Sequence, residues 1–421
     1  MTGGPTKRRR LGDCVTFLSG GTPSKSTAAY WSGDIPWVSC KDMKTNRIFD
    51  AEDHVSEEGL ANGTRLVAEG TVLIVVRGMI LAREFPVAVA MRKVTFNQDL
   101  KALNCSPILD DRFLFYWLKA KTYDILGLVD EAAHGTKRLQ TDRLQNLEIE
   151  IPPVSVQRDI TSILSAYDDL IENNARRIGM LEQMARMIYR EWFVNFRFPG
   201  HEKITMTGSE SGILPVGWQV KRFTEISEVL SGGTPKTSVP EFWNGDIPFF
   251  GPTDSPTGFF VTQTEKSITR LGLSRCNSRL YPVETVFITA RGTVGKVAMP
   301  AEDMAMNQSC YALRGRSGLS QLFLFMLTKE YAEELKKKAH GAVFDTITIE
   351  TFSKLSVVRP ADPLPQQFEA IVRPLFALML VLQRGISHLR ESRDLLLPKL
   401  LSGEIGVGHF EAEAGVVAHG V

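Results

Sequence analysis

Two long segments of the chain place apolar residues at alternating spacings of four and three, which is the heptad pattern of helices that pack along a seam. The first segment, 154–198, has no internal proline and a single glycine, Gly179. Its seam positions are Ile160, Leu164, Tyr167, Ile171, Asn174, Ile178, Leu181, Ala185, Ile188 and Trp192. The second seam consists of Leu375, Met379, Leu382, Ile386, Leu389, Arg393, Leu396 and Leu400. A helix of about 40 residues is on the order of 60 Å long.

Three residues of these segments raise questions of their own. Asn174 is the polar member of the first seam, and two interpretations stay open: a tolerated polar residue near the surface, or a core asparagine that fixes the register. Pro374 and Pro398 bracket the second seam, and we expect them to kink or end that helix. Because neither seam is stable in water, we expect the two helices to bury each other.

The residues before each helix have a different pattern. Short runs rich in β-branched and aromatic residues, such as 70–77 and 284–291, lie between turns of Gly, Pro, Asp and Asn. Short helical patterns occur near 112–125 and 319–338. Each long helix is therefore predicted to follow an α+β globular part.

The chain also repeats itself. Leu-Ser-Gly-Gly-Thr-Pro occurs at 18–23 and 230–235, and Trp-x-Gly-Asp-Ile-Pro occurs at 31–36 and 243–248. Later matches follow in the same order: Arg77-Gly78 with Arg291-Gly292, Asn97-Gln98 with Asn307-Gln308, and His134-Gly135 with His340-Gly341. This predicts a tandem duplication of a whole unit. For Gly20 and Gly21 we favour a turn with positive φ angles over the alternative, a close approach of the backbone to phosphate. For the recurring Trp31, Trp243, Asn and Gln residues, scaffold packing or turn bonding is the favoured role.

Composition narrows the class of protein. The chain has 421 residues, of which 43% are hydrophobic and 23% charged, as in soluble proteins with a core. No apolar run approaches the roughly 18 residues of a membrane span. The five cysteines include no C-x-x-C pair, which argues against zinc and disulfides and favours a cytoplasmic setting. With 49 Lys and Arg against 48 Asp and Glu, the net charge of +1 does not by itself indicate nucleic-acid binding.

Motifs of catalysis are missing from the sequence. Gly292-Thr-Val-Gly-Lys-Val297 resembles the end of a phosphate-binding loop, but its spacing is short and Val297 has no hydroxyl to offer a magnesium ion. The chain lacks the Pro-Pro-aromatic tetrapeptide of amino-methyltransferases, and it has neither G-x-S-x-G nor H-E-x-x-H. The seven histidines are scattered, and His134 and His340 precede glycines, as turn residues do. We therefore predict a binding protein with no catalytic residue and no metal site.

Together these features resemble the DNA-specificity (S) subunit of type I restriction–modification enzymes. The resemblance is carried by the doubled motifs, by helices that open after Pro-rich steps at 151–157 and 363–367, and by the closing Leu-Pro-Lys-Leu-Leu-Ser-Gly-Glu-Ile at 397–405. It covers roughly 11–405, which is nearly the whole chain.

The resemblance implies a fold class and a domain order. The fold is expected to be α+β: two similar globular α/β target recognition domains, separated by two long helices that pack as an antiparallel coiled coil, in a pseudo-two-fold tandem repeat. The expected segments are recognition domain 1 at 1–153, spacer helix 1 at 154–199, recognition domain 2 at 200–365, spacer helix 2 at 366–404 and a flexible tail at 405–421.

It also implies a function and partners. Each recognition domain would read one half of a bipartite, asymmetric site in double-stranded DNA, and the helices would set the half-site spacing. The helices would also dock two methyltransferase (M) subunits, which use S-adenosylmethionine to methylate adenine N6. Two restriction (R) subunits, which use ATP and Mg²⁺, can join such complexes. The S subunit itself would hold no cofactor and would not be associated with a membrane.

The DNA-contacting residues are expected among loop Lys, Arg and small hydroxyl residues. The candidates are Thr22, Lys25, Lys41, Arg77, Lys137 and Arg138 in the first module, and Thr234, Lys236, Arg291 and Lys296 in the second. Arg77 and Arg291 could instead brace the turns at Gly78 and Gly292. The segments 37–42 and 249–254 differ, as expected if the modules read different bases. The alternative function is an assembly scaffold that does not bind DNA, which the near-neutral charge favours slightly; salt-dependent DNA affinity would distinguish the two.

Overall fold

A computed structural model describes residues 6–131, 135–209, 212–339 and 346–407. The expectations for His134, for His340-Gly341 and for the tail from 408 onward lie outside these residues. Of the expected tail, Ile405 and Val407 are described, and they pack against the core of the first module.

The first module precedes the first long helix. Its strands are β1 (Lys7–Arg10), β2 (Val15–Ser19), β3 (Ile35–Val38), β4 (Arg47–Ile48), β5 (Asp53–Val55), β6 (Leu66–Val67), β7 (Val72–Val75), β8 (Val87–Ala90), β9 (Val94–Phe96), β10 (Leu100–Cys105), β11 (Asp130–Glu131), β12 (Lys137–Arg138) and β13 (Glu148–Ile151). Its helices are α1 (Leu11–Cys14), α2 (Glu57–Ala61), α3 (Asp111–Ala120), α4 (Thr122–Leu126) and α5 (Thr141–Gln145). The principal sheet has the order β2-β10-β7-β8-β4, and a second sheet has the order β5-β3-β9-β6.

After helix α6 (Val154–Tyr189), the second module repeats this architecture. Its strands are β14 (Met206–Ser209), β15 (Gly212–Pro215), β16 (Gln219–Arg222), β17 (Ser227–Ser231), β18 (Trp243–Phe250), β19 (Phe260–Val261), β20 (Lys266–Ile268), β21 (Val286–Thr289), β22 (Val297–Pro300), β23 (Ala305–Met306), β24 (Cys310–Gly315) and β25 (Ser356–Arg359). Its helices are α7 (Phe223–Ile226), α8 (Arg270–Ser274), α9 (Gln321–Glu330), α10 (Ala332–Ala339) and α11 (Ile349–Ser353), and α12 (Leu364–Leu401) follows.

The principal sheets of the two modules have the same strand order, whereas the second sheet has four strands in the first module and three, β20-β18-β23, in the second. The principal sheet of the second module runs β17-β24-β21-β22-β19, with each strand in the place of its counterpart. In both modules a helix, α3 or α9, begins at a side-chain cap (Asp110 or Ser320) and packs on the sheet. The predicted α+β tandem duplication is thus confirmed.

The two long helices carry the predicted seams. α6 covers Val154–Tyr189 and continues as a π-helical turn over Arg190–Val194. Every seam position of α6 and α12 is buried or half-buried. α12 continues through Pro374 and Pro398, so the expectation that a proline ends it is wrong. Burial of Val372 and Phe376 around Pro374, and of Leu397 and Leu400 around Pro398, outweighs the lost hydrogen bonds.

The chain forms two compact units, each of which contains parts of both long helices. One unit comprises 1–169 with 390–421, and the other comprises 170–389. Within the second unit the helices are antiparallel: Asn174 lies beside Gly385, whereas Tyr189, further along α6, lies 6.0 Å from the ring of Phe368, near the start of α12. Asn174 is half-buried, and both interpretations of it remain open.

Three polar residues of α6 are buried next to its seam and form hydrogen bonds or an ion pair with residues outside this helix. Gln157 donates to the carbonyls of Ile108 and Pro152 (both 2.8 Å). Asp168 accepts from the Tyr116 hydroxyl at 2.6 Å and pairs with Arg393, the polar member of the second seam. The Glu182 carboxylate accepts from the Phe259 amide at 2.9 Å. The heptad pattern missed these residues because it scores polar side chains as exposed.

By length and composition, α12 is the one helix among the described residues that could cross a membrane. Its side chains Phe368, Val372, Phe376 and Met379 are, however, buried in the core of the second unit. A core helix of a globular unit meets the same criteria, so we assign α12 to the core.

Candidate nucleic-acid interface

The repeated Gly-Gly-Thr-Pro segments are loops that follow the first strand of each principal sheet. A Cβ atom on Gly20 would lie 2.2 Å from the Phe96 carbonyl oxygen, and one on Gly232 would lie 2.0 Å from the Asn307 carbonyl oxygen. None of these loop glycines has a positive φ angle, so that expectation is wrong. The residues are glycines because the loop backbone packs directly against a neighbouring strand end.

This packing places the nominated threonines against a recurring glutamine. The Thr22 hydroxyl donates to the Gln98 side-chain oxygen at 2.6 Å, and Thr234 makes the same bond to Gln308. The other recurring residues bond turns: the Trp31 indole donates to the Ser24 carbonyl at 3.1 Å, and the side chains of Asn97 and Asn307 accept backbone amides two residues on. The predicted turn-bonding role of these residues is confirmed.

Next to Thr22, the first module contains a basic pocket. It is a cavity of about 150 Å³ lined by Val76, Arg77, Gln98, Lys101, Arg138, Leu139 and Thr141. Arg77 and Arg138 face each other as bridge partners, and the Lys101 ammonium donates to the Ser19 hydroxyl at 2.5 Å. Burial, followed by the charge of Arg138, lowers the pKa of Lys101. None of the seven residues that line the pocket is acidic.

The structure thus brings Arg77 and Arg138 together and adds a residue that sequence reasoning missed, Lys101. Lys101 lies within β10 and in none of the repeated motifs. The feature that identifies Lys101 is its strand pairing with Ser19, which lies in the Leu-Ser-Gly-Gly-Thr-Pro segment. Only the register of the folded sheet reveals it.

The other candidates of the first module lie around the pocket or apart from it. Lys137 pairs with Glu131 at 2.8 Å, and its carbonyl accepts from the Gly78 amide. Lys41 is exposed and lies 3.4 Å from Glu52. Lys25 is on the exposed loop, 6.0 Å from the centre of the Trp31 ring. These side chains do not line the pocket.

In the second module, Arg291 is exposed at the end of β21, and its amide contacts the Ser309 carbonyl. Lys296 is exposed on the turn from 291 to 296, where Gly292 and Gly295 have positive φ angles. Residues 292–297 are therefore a hairpin turn. Lys236 is exposed, and its carbonyl accepts from the Trp243 indole at 3.2 Å.

The expectation about the segments after Ile-Pro needs correction. Trp37, Val38 and Ser39 are buried, as are Phe249, Phe250 and Gly251, because these strands lie inside their sheets. Asp42 and Asp254 occupy equivalent positions in the two modules. The carboxylate of each accepts a hydrogen bond from the backbone amide three residues earlier. Of the nominated segments, only 40–41 and 252–253 leave variable side chains for a ligand.

In the described part of these modules, no group of three or more His, Cys, Asp or Glu residues is arranged to hold a metal ion. Burial raises the pKa of the Cys40 thiol to about 11 and that of Cys310 further, which keeps both thiols protonated. The arrangement favours binding by donors and positive charge.

Comparison with known proteins decides the family. The family described as type I restriction modification DNA specificity domain matches residues 5–183 and 215–379, one stretch for each module. The chain belongs to this family. The resemblance inferred from the repeated motifs is thereby confirmed.

Relatives of this family are similar over most of the chain. The MjaIX specificity subunit of Methanocaldococcus jannaschii is 28% identical over 408 residues, which is 95% of this chain and 93% of the relative. The HindI specificity subunit of Haemophilus influenzae is 25% identical over 362 residues, 72% of this chain and 79% of the relative. The crystal structure of the S subunit from M. genitalium has a TM-score of 0.60 at 17% identity and covers 94% of this chain and 96% of its own, which supports the shared fold.

Proposed function

We propose that this protein is the sequence-reading subunit of a type I restriction–modification complex, in which each module reads one half of a bipartite, asymmetric DNA site. The observation that carries the proposal is the duplicated module with unequal side chains. The two sheets have the same order and the same Thr-Gln bond, yet the side chains around that bond differ. A shared frame with different exposed groups is the arrangement that reads two different short sequences.

The long helices suit two further roles in this proposal. Each helix begins in one compact unit and ends in the other, so its length would set the distance between half-sites. In the second unit α6 also exposes an apolar row at Met180, Met184 and Met187, spaced four and three residues apart on one helix face. Exposed apolar rows of this kind suit a partner protein, and we assign this one to a methyltransferase subunit.

The proposal assigns the chemistry to the partners. S-adenosylmethionine would bind to two methyltransferase subunits, and ATP and Mg²⁺ to restriction subunits if the complex contains them. This chain would hold no cofactor and would act in the cytoplasm, where the host DNA is. Its own contribution is recognition and geometry.

Binding of the purified chain, with and without its methyltransferase subunit, to duplex DNA over a series of salt concentrations tests the proposal. We expect the logarithm of the association constant to fall linearly with the logarithm of the salt concentration, because phosphate contacts release counterions. Mapping methylated adenines in cells that express both subunits should give one bipartite sequence. A chain that assembles with the methyltransferase but does not change DNA affinity would support the scaffold function instead.

A further inference from the structure

We propose that the basic pocket of the first module binds one phosphodiester group of the DNA backbone and that the described residues of the second module form no equivalent phosphate site. The inference rests on the proposed function, because it presupposes that the first module contacts DNA. It adds a subsite, its ligand and an asymmetry between the modules.

The first argument is uncompensated positive charge. Arg77 and Arg138 are direct cross-strand partners, an arrangement that is destabilising for like charges. Asp130, opposite Arg138 on β11, is occupied by Arg143 at 2.9 Å and by Gln140 at 2.8 Å. In the described part of the chain, neither Arg77 nor Arg138 forms an ion pair. An anion between the two guanidinium groups would remove the repulsion.

The second argument is the set of donors in the pocket. Lys101 adds a third cation beside Arg138. Because the Gln98 side-chain oxygen accepts from Thr22, the Gln98 amide nitrogen remains a donor. Thr141 also lines the cavity and can donate through its hydroxyl. Several hydrogen-bond donors and three positive charges suit the negatively charged oxygens of a phosphate group.

The same charges argue against base reading at this position. A base edge such as that of guanine can accept from one arginine or lysine, but it carries no net charge, whereas three cations around a cavity of about 150 Å³ favour an anionic ligand. A backbone phosphate carries a full negative charge and occurs at every nucleotide. The pocket would therefore position the first module on DNA without selecting a sequence.

The second module has lost most of this charge. Tyr311 pairs with Ser231 as Lys101 pairs with Ser19, so Tyr311 occupies the position of Lys101. The Ile347 amide bonds the Ala290 carbonyl as the Leu139 amide bonds that of Val76, which puts Thr346 in the place of Arg138. Among the described residues of the second module, Arg291 is the one that remains of these three cations, so we expect this module to contact the DNA backbone differently.

The test compares full-length variants with reciprocal changes. The double variant Lys101→Gln/Arg138→Gln removes two of the three cations, and Tyr311→Lys/Thr346→Arg installs two in the second module. Binding to a random-sequence duplex is measured over a salt series. The quantity compared is the slope of log K against log salt concentration. We expect its magnitude to decrease by about 1 in the first variant and to increase by about 1 in the second. The first variant should also unfold at an equal or higher temperature without DNA.

A second measurement identifies the phosphate. In a duplex that carries the mapped methylation site, single phosphates of the first half-site are replaced by neutral methylphosphonates. One replacement should weaken binding by the wild-type chain several-fold and leave binding by Lys101→Gln/Arg138→Gln unchanged. The methylated sequence should be the same for both proteins.

Three outcomes would overturn the inference. An unchanged salt slope would mean that the pocket does not bind backbone phosphate, and a changed base preference would mean that it reads bases. If inorganic phosphate alone raised the unfolding temperature of the wild-type chain while the duplex slope stayed unchanged, the pocket would be a site for a free anion. A wild-type chain without any salt-dependent duplex binding would contradict the proposed function itself, and the inference with it.

Discussion

At the scale of single residues, glycines decide how the recognition loops pack. Gly20 and Gly232 sit against backbone carbonyls at distances that exclude any side chain, while both keep ordinary backbone angles. Gly179, in the middle of α6, has nothing within 4 Å of a built Cβ atom. Glycine is required in the loops because a side chain would not fit there, whereas no steric reason requires glycine at position 179 in the helix.

These positions make a matched pair of substitutions. Gly20→Ala should lower the free energy of unfolding by about 2 kcal/mol or more, because the loop or β9 must shift. Gly179→Ala should raise it by about 0.5–1 kcal/mol, because alanine favours helix and meets open space. Urea unfolding of both variants checks the prediction. Equal effects of the two substitutions would contradict the packing argument.

Lys329 in α9 is a largely buried cation of the second unit. Burial, helped by the charge of Arg186, lowers the pKa of Lys329 to about 8, whereas Glu182 and the rings of Phe259 and Phe325 favour the charged form. The unfolded chain then binds more protons than the folded chain between about pH 8 and 10.5. Stability contributed by this residue therefore rises with pH across that window.

The variant Lys329→Met tests this charge. It should be more stable than the wild type at pH 7, because a desolvated ammonium has been removed. The difference should shrink as pH rises from about 8 to 10.5, where wild-type Lys329 loses its proton, by on the order of 3 kcal/mol in total. Urea unfolding of both proteins across this range provides the measurement. A difference that does not depend on pH would mean that Lys329 titrates normally.

At the scale of elements, α6 has a buried side and an exposed apolar row, to which we assign different partners. Ile178 is 9% exposed and packs in the core of the second unit, whereas Met184 is 44% exposed. Only the first is needed for folding. The second is exposed in the free chain and belongs to the surface that we assign to the methyltransferase subunit.

Aspartate at each position separates these roles. Ile178→Asp should bury an unpaired carboxylate and lower the free energy of unfolding by about 3 kcal/mol or more. Met184→Asp should leave the unfolding free energy within about 0.5 kcal/mol and weaken binding of the methyltransferase subunit at least tenfold. Thermal unfolding and titration calorimetry check the two halves. A Met184→Asp variant that binds the partner normally would place the docking surface elsewhere.

The length of the helices is the second property at this scale. Inserting one heptad into each helix, after Arg176 in α6 and after Gln383 in α12, keeps both seams in register and adds about 10 Å. Since base pairs are about 3.4 Å apart, the gap in the recognised site should grow by about three base pairs. Both half-site sequences should stay the same. A methylation map with the original gap would show that the methyltransferase subunits set the distance instead.

The sequence predicts the elements well where a period or a repeat is long. The heptad seams predict both long helices because many positions share one pattern. The repeated motifs predict that the chain contains two modules. Asp168, Glu182 and Lys101 could not be predicted, since their roles depend on partners such as Tyr116 that are far apart in sequence. Trp37 and Phe249 lie in the segments expected to read different bases, but both side chains are buried. Their burial depends on the sheet register, which the sequence alone does not give.

At the scale of the whole molecule, the central claim is that each module recognises its own half-site. The principal sheets of the two modules share a strand order and a loop geometry, while half-buried side chains differ at equivalent positions such as Lys101 and Tyr311. The five-stranded sheet, the loop with its Thr-Gln bond and the helix packed on the sheet are each present in both modules. Each module should therefore act independently of the sequence that the other reads.

Exchange of one module tests this claim most directly. Residues 200–365 are replaced by the corresponding module of a relative, the chimaera is expressed with the methyltransferase subunit, and methylated adenines are mapped across the host genome. The account predicts that one half of the bipartite site changes to the relative's half-site while the other half and the gap stay the same. A map in which both halves change together, or in which neither changes, would contradict it.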